Sequence, residues 1–272
     1  MIENVRSFAN FLSLFMLIAS ANCSVLAQTR TGQDEPVFKI STPLEFKGRV
    51  VSSSLRKSEI AALLDLPVRN GNSDLKESYG VEMTRPSGET FMAYTCREWE
   101  KAQIENAYSA TTYDMAMEGS LIHTCGLLFQ LQIARSPLKS FVANPRVTLA
   151  DINLLPAEIL GVNGDEEDEE NNGRRLRGLT ISQAVPAKDI QEAKRTLLRL
   201  SFGGFQQLFQ EAARADFDGN GFEEIFVFTG GRAEGGTLGY ADNLILTRTN
   251  PTDPLKLVQA KNRDRSGSNA VQ

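Results

Sequence analysis

One short stretch, "ADFDGNGFEE" from Ala215 to Glu224, crowds oxygen-bearing side chains at a regular spacing. Asp216, Asp218 and Asn220 occupy the first, third and fifth positions of a loop, and Glu224 occupies the ninth. A chain wrapping an ion turns alternate side chains inward, so this spacing aims four side-chain oxygens at one point. The carbonyl of Phe222 falls at the seventh position as a further donor. All are hard oxygen ligands, and Ca2+ takes six to eight of these at about 2.3–2.6 Å. Gly221 permits the sharp turn, and Gly219 relieves crowding as the backbone closes. The stretch therefore reads as a calcium loop. The competing reading is an Asp/Asn/Gly turn that holds no metal.

An EF-hand loop needs Glu at its twelfth position and then continues as a helix. Here the twelfth position is Val227, and "EIFVFTGG" is rich in β-branched and aromatic residues. The EF-hand is rejected. The stretch instead resembles the D-x-D-x-[DN]-G-x-x-[DE] loop of FG-GAP and related propeller-type repeats, in which a calcium loop leads directly into a strand. Asp216, Asp218, Asn220 and Glu224 match that pattern, with Phe222 at the backbone-carbonyl position. The match spans a single copy of some fifteen residues, so it implies an ion site and not a propeller. An amphipathic helix expected before the loop is a departure from the pattern. Extracellular calcium modules bind with dissociation constants on the order of 10⁻⁴ to 10⁻³ M, which suits a structural ion.

Other reactive constellations are sparse. Ser54 and Lys57 spell S-x-x-K, the nucleophile motif of penicillin-binding proteins and serine β-lactamases, but S-D-N and K-T-G companions are absent. A serine run before a helix is expected from capping alone. There is no G-x-S-x-G, H-E-x-x-H or P-loop motif, and a single histidine, His123, argues against a multi-histidine zinc site or a Ser-His-Asp triad. Scattered acids leave a glycosidase-like carboxylate pair as the enzymatic alternative. Cys96 and Cys125 read as a disulfide, because an even pair in an exported chain is most simply oxidised. A catalytic or metal-bound cysteine would need a partner base, and His123 stands only two residues from Cys125.

The elements that must position these groups are legible in part. "KGRVVSSSLRKSEIAALLDLP" predicts a helix capped by Ser53 or Ser54, with Ile60, Leu63 and Leu64 on one face, ending at Leu66-Pro67. "NGNSD" reads as a turn and "ETFMAYTC" as a strand closed by Cys96. The run "LIHTCGLLFQLQIA" is buried, as strand or helix. Residues 161–178 carry six consecutive acids, Asp165 to Glu170, and read as a flexible surface loop between two halves of the fold. "VPAKDIQEAKRTLLRLS" predicts a helix ended by Gly203-Gly204, and "FQQLFQEAARA" a second, with Phe205, Leu208, Phe209 and Ala212 at i, i+3, i+4 and i+7. "EIFVFTGG" and "TLGYADNLILTRT" predict a hairpin with a glycine-rich loop.

At the amino terminus, Arg6, an apolar run from Phe11 to Ala19 and the small-x-small triplet Val25-Leu26-Ala27 read as an export signal cleaved before Gln28. The run is too short to span a bilayer, and no later segment is long and apolar enough. The alternative is lipid anchoring through Cys23, though Ser20 and Asn22 fit a lipoprotein signal poorly. The net charge of −5 argues against nucleic acid or an anionic membrane as partner. Together these readings predict an exported α+β protein, periplasmic or secreted, with mixed helices and antiparallel strands. The expected layout is a signal peptide (1–27), an N-terminal α+β region with one disulfide (28–160), the acidic loop (161–178), a helix–calcium loop–β-hairpin region (179–258) and a disordered tail (259–272). The expected role is non-enzymatic binding of a protein or glycan in the envelope. The alternative is a hydrolase of cell-wall or sugar polymers.

Overall fold

Exposed and buried side chains alternate along the short first strands, as in Val37–Ile40 and Ser54–Arg56. The computed structural model describes residues 35–70, 79–143, 146–161, 166–236 and 239–258, with the backbone alone at 166–170. The expected export signal, Cys23, most of the "NGNSD" turn and the tail 259–272 lie outside these residues. Strands β1 (Val37–Ile40), β2 (Leu44–Phe46), β3 (Arg49–Val51) and β4 (Ser54–Arg56) precede helix α1 (Lys57–Leu63). A hairpin of β5 (Val81–Thr84) and β6 (Thr90–Ala93) leads to α2 (Cys96–Ile104) and the long α3 (Thr112–Ile133). Helices α4 (Glu166–Leu176) and α5 (Ile181–Ala184) are followed by β7 (Ile190–Lys194), β8 (Leu197–Phe202), β9 (Phe205–Ala215), β10 (Glu224–Ala233), β11 (Gly239–Thr247) and β12 (Lys256–Val258). The fold is α+β, as expected, and richer in strand than in helix.

Eight strands form one antiparallel sheet, in the order β12-β11-β10-β9-β1-β4, with β8 also against β9 and β7 against β8. Strand β9 is its hub. Its first half pairs with β8, and Ala213 and Arg214 pair with β1 on the same edge. The sheet carries a core on each face. Phe226 and Ala213 pack with Leu127, Leu128 and Leu131 of α3, whereas Ile225, Val227 and Phe209 join the core that receives Leu176 and Ile181. Because successive strand residues point to opposite faces, a strand covered on both sides reads as a continuous apolar run, as "EIFVF" does. The described residues from Glu35 onward belong to one compact unit, so the acidic segment does not divide two halves.

Four local expectations are corrected. The two helices predicted before the loop are strands β7–β8 and β9. Gly203 and Gly204, at φ of +61° and +78°, form the two-residue turn of the β8–β9 hairpin, where both central positions need the left-handed region. In β9 the inward alternation was hidden by two buried polar residues, Gln207 and Glu211. Gln207 donates to the carbonyls of Gly161 and Phe202, and Glu211 accepts two hydrogen bonds from Arg214 at 2.9 and 2.8 Å. Satisfied in this way, both can occupy core positions. The acidic segment is helical over Glu166–Leu176, with Arg174 and Arg175 in its last turn, the end of a helix that suits positive charge. Ser54 lies in β4, and α1 begins after Arg56. Cys96 does not close a strand but opens α2, capped by Thr95.

Candidate metal centre

The loop from Asp216 to Glu223 joins the paired strands β9 and β10, whose residues Ala215 and Glu224 stand opposite one another. The expected helix–loop–hairpin unit is therefore strand–loop–hairpin, with β10 and β11 paired from Ile225↔Leu246 to Arg232↔Gly239. The loop is fastened to the chain that leaves α3. Arg135 and Asp216 exchange backbone hydrogen bonds of 2.9 and 3.1 Å, and the Gly221 carbonyl accepts from the N–H groups of Leu138 and Lys139. Gly221 sits at φ +89°, a conformation that costs a side-chain-bearing residue strain. The contribution of residues 135–139 was invisible in the sequence, because nothing in its local pattern pairs it with a loop some eighty positions away.

Within the loop, the carboxylates of Asp216, Asp218 and Glu224 each offer an oxygen within 4.8 Å of the others. Asp216 and Glu224 are buried, and Asp218 is exposed. Backbone amides hold them in place. Asp216 accepts from Gly219 at 2.8 Å and Gly221 at 3.1 Å, and Glu224 accepts from Phe217 at 2.8 Å and Asp218 at 3.3 Å. Burial pushes the Glu224 carboxyl up to about 7, the negative charge of Asp218 adds to this, and the Phe217 N–H pulls against it. Among the described residues none of the three acids makes an ion pair within 4.0 Å, and the partners of Asp216 and Glu224 there are backbone N–H groups instead of cations.

The donor set fits a hard cation, with one rearrangement. The three carboxylates converge as the spacing predicts. Asn220 turns its amide nitrogen toward Asp218 (2.8 Å) and Glu224 (3.4 Å), while its oxygen accepts from the Phe222 N–H at 2.7 Å. Rotation of that amide by half a turn exchanges nitrogen for oxygen at the centre. Phe222 is steadied by stacking on Phe141, with ring centroids 5.7 Å apart.

The other predicted residues separate clearly. Cys96 and Cys125 are disulfide-bonded and join the start of α2 to the middle of α3. Ser54 lies on an edge strand, and the Lys57 ammonium donates to the Ala134 carbonyl at 2.8 Å, so the S-x-x-K residues form no nucleophile pair. His123 stacks on Phe228 with centroids 4.6 Å apart, and burial pushes it down to about 4. Two surface clefts each present a single carboxylate, Glu45 in one and Glu234 in the other, and neither forms the facing pair a glycosidase uses. Among the described residues no helix is long and apolar enough to cross a membrane. No protein-family model, curated protein or solved structure matches this chain.

Proposed function

We propose that this is an exported, non-enzymatic binding or accessory protein of the envelope, braced by one structural Ca2+ at Asp216, Asp218, Asn220, Phe222 and Glu224. The observation that carries the ion is the convergence of three carboxylates on one point, two of them buried, without a cationic partner among the described residues. Close carboxylates repel and bear a desolvation cost, and a divalent cation removes both at once. The donors are oxygens throughout, which favours calcium over zinc or copper. Its role is to fix the β9–β10 turn and the strap at residues 135–139 as one rigid corner. The disulfide supports an oxidising compartment, periplasmic or extracellular.

Thermal unfolding tests the reading. Calcium at millimolar concentration raises the melting temperature of the native chain, and Asp216→Ala combined with Asp218→Ala abolishes the response. A calcium response that survives the double substitution places the ion elsewhere.

A further inference from the structure

The chain holds four Asn-Gly dipeptides, beginning at Asn70, Asn163, Asn172 and Asn220. In such a pair the glycine nitrogen can attack the asparagine side-chain amide, because no side chain on the glycine hinders the approach. Asn163 lies outside the described residues. Asn70 is buried and donates to the Gly80 carbonyl, and Asn172 is buried within helix α4, where its oxygen accepts from Arg175. Asn220 differs on both counts. It is exposed to water, and it lies in the non-helical loop between β9 and β10.

As folded, the loop surrounds this pair with the groups that the attack needs. The Gly221 N–H donates to Asp216 Oδ2 at 3.1 Å, so a carboxylate already holds the proton that the nucleophile must lose. Asn220 Oδ1 accepts from the Phe222 N–H at 2.7 Å, a donor distance that suits this oxygen when it gains negative charge. Asn220 Nδ2, the leaving group, is directed to Asp218 at 2.8 Å and Glu224 at 3.4 Å, which fixes the plane of the amide. From outside the loop, the N–H groups of Leu138 and Lys139 hold the Gly221 carbonyl. We infer that Asn220 is a self-modification site, at which the folded loop converts asparagine to aspartate and isoaspartate through a cyclic imide, with water as co-reactant. The Gly221 nitrogen bonds to Asn220 Cγ, and its proton passes to Asp216 and on to solvent. The Cγ–Nδ2 bond breaks, and the nitrogen leaves as ammonia after taking a proton from water. Water then opens the imide. Cleavage of the new bond at Cγ gives aspartate, and cleavage at the Asn220 backbone carbonyl gives isoaspartate. Aspartate adds a fourth carboxylate to the metal centre, whereas isoaspartate reroutes the chain through the side chain and displaces Phe222. Calcium held by Asp216 and Asn220 Oδ1 draws both away from the reacting amides, so the ion protects the asparagine. That protection rests on the calcium reading proposed above, and the conversion itself does not.

The test follows the native chain over weeks at neutral pH in chelator, with peptide mapping by mass spectrometry. Conversion reads as the mass rise of amide-to-acid exchange at Asn220 and as new isoaspartate; isomerisation at the neighbouring Asp218-Gly219 leaves the mass unchanged. Asn220 should convert about tenfold faster in the folded chain than in the same chain unfolded by guanidinium. Asp216→Asn should remove that advantage and leave the rate in guanidinium as it was. Should this variant fail to fold, the comparison of folded with unfolded native chain decides alone, with Asn220→Gln as the control in which the product disappears. A folded chain that converts no faster than the unfolded one overturns the proposal, as does an undiminished rate in folded Asp216→Asn. Calcium at millimolar concentration should slow the folded reaction about tenfold. Fast conversion in chelator that calcium leaves unaltered upholds the modification site and counts against the ion. A calcium-dependent melting temperature without conversion in chelator removes only the modification.

Discussion

Glu224→Gln should make the calcium-free protein more stable at pH 8 and less responsive to calcium. The carboxyl is fully buried, and its pKa is raised from 4.5 to about 7. A raised carboxyl binds its proton more tightly in the folded chain, so ionising it costs the folded state. Without metal, its effect on stability is most favourable below pH 4.5 and is lost as pH rises from 4.5 through 7. At about 1.4 kcal/mol per pH unit, the full cost is on the order of 3 kcal/mol. Glutamine keeps an oxygen that can accept the Phe217 N–H and carries no charge to bury. In a chelator at pH 8 the variant should therefore melt above the parent by up to about 6–12 °C, given roughly 2–4 °C per kcal/mol at this size. Near pH 4 the two should converge. Calcium should reverse the order, because the parent regains in ligation what it loses by burial. Differential scanning calorimetry from pH 4 to 8, with chelator and with calcium, reads all of this. A variant less stable than its parent at pH 8 in chelator would refute the reasoning.

Further outcomes follow from other parts of the fold. The His123 ring should titrate near 4 and not near 6.5 in an NMR pH series. Its depressed pKa gives stability that is present above pH 6.5 and lost as pH falls through 4, opposite in sign to Glu224; His123→Phe should flatten that acid limb. Mass spectrometry without reductant should find Cys96 and Cys125 joined. Replacing both by alanine should cost roughly 3–4 kcal/mol in urea unfolding, from a loop of about 30 residues. Arg214→Met should cost about 3–5 kcal/mol, because it strands Glu211, fully buried, without its main partner. A loss below about 1 kcal/mol would show that Ser41 and Arg146 satisfy Glu211 unaided.

What could be read in the sequence was local, and what escaped was tertiary. The convergence of Asp216, Asp218 and Glu224 follows from spacing in one short loop, since alternate residues of a tight turn face one side. The Cys96–Cys125 pairing followed from there being no other partner once Cys23 is assigned to a removed segment. Strand β9 escaped because Phe205, Leu208, Phe209 and Ala212 fit a helical face while Gln207 and Glu211 broke the apolar alternation. Besides the nearby Phe202 carbonyl and Arg214 guanidinium, partners distant in sequence, Gly161, Tyr240 and Ser41, help to make those polar residues suitable for a core. The same holds for the strap at residues 135–139, whose N–H groups meet the loop through tertiary folding alone. The segment of helix α4 reads as a loop in the sequence because six like charges repel. The arginines of its last turn and burial of Leu176 favour the helix.

The central claim is a single cation held by the β9–β10 loop, and metal content tests it most directly. Protein dialysed to equilibrium against several millimolar calcium should hold close to one calcium per chain above the bath concentration, read by plasma mass spectrometry. Asp216→Ala with Asp218→Ala should retain none. No calcium on the native chain, or one equivalent that persists in the double variant, would contradict the account.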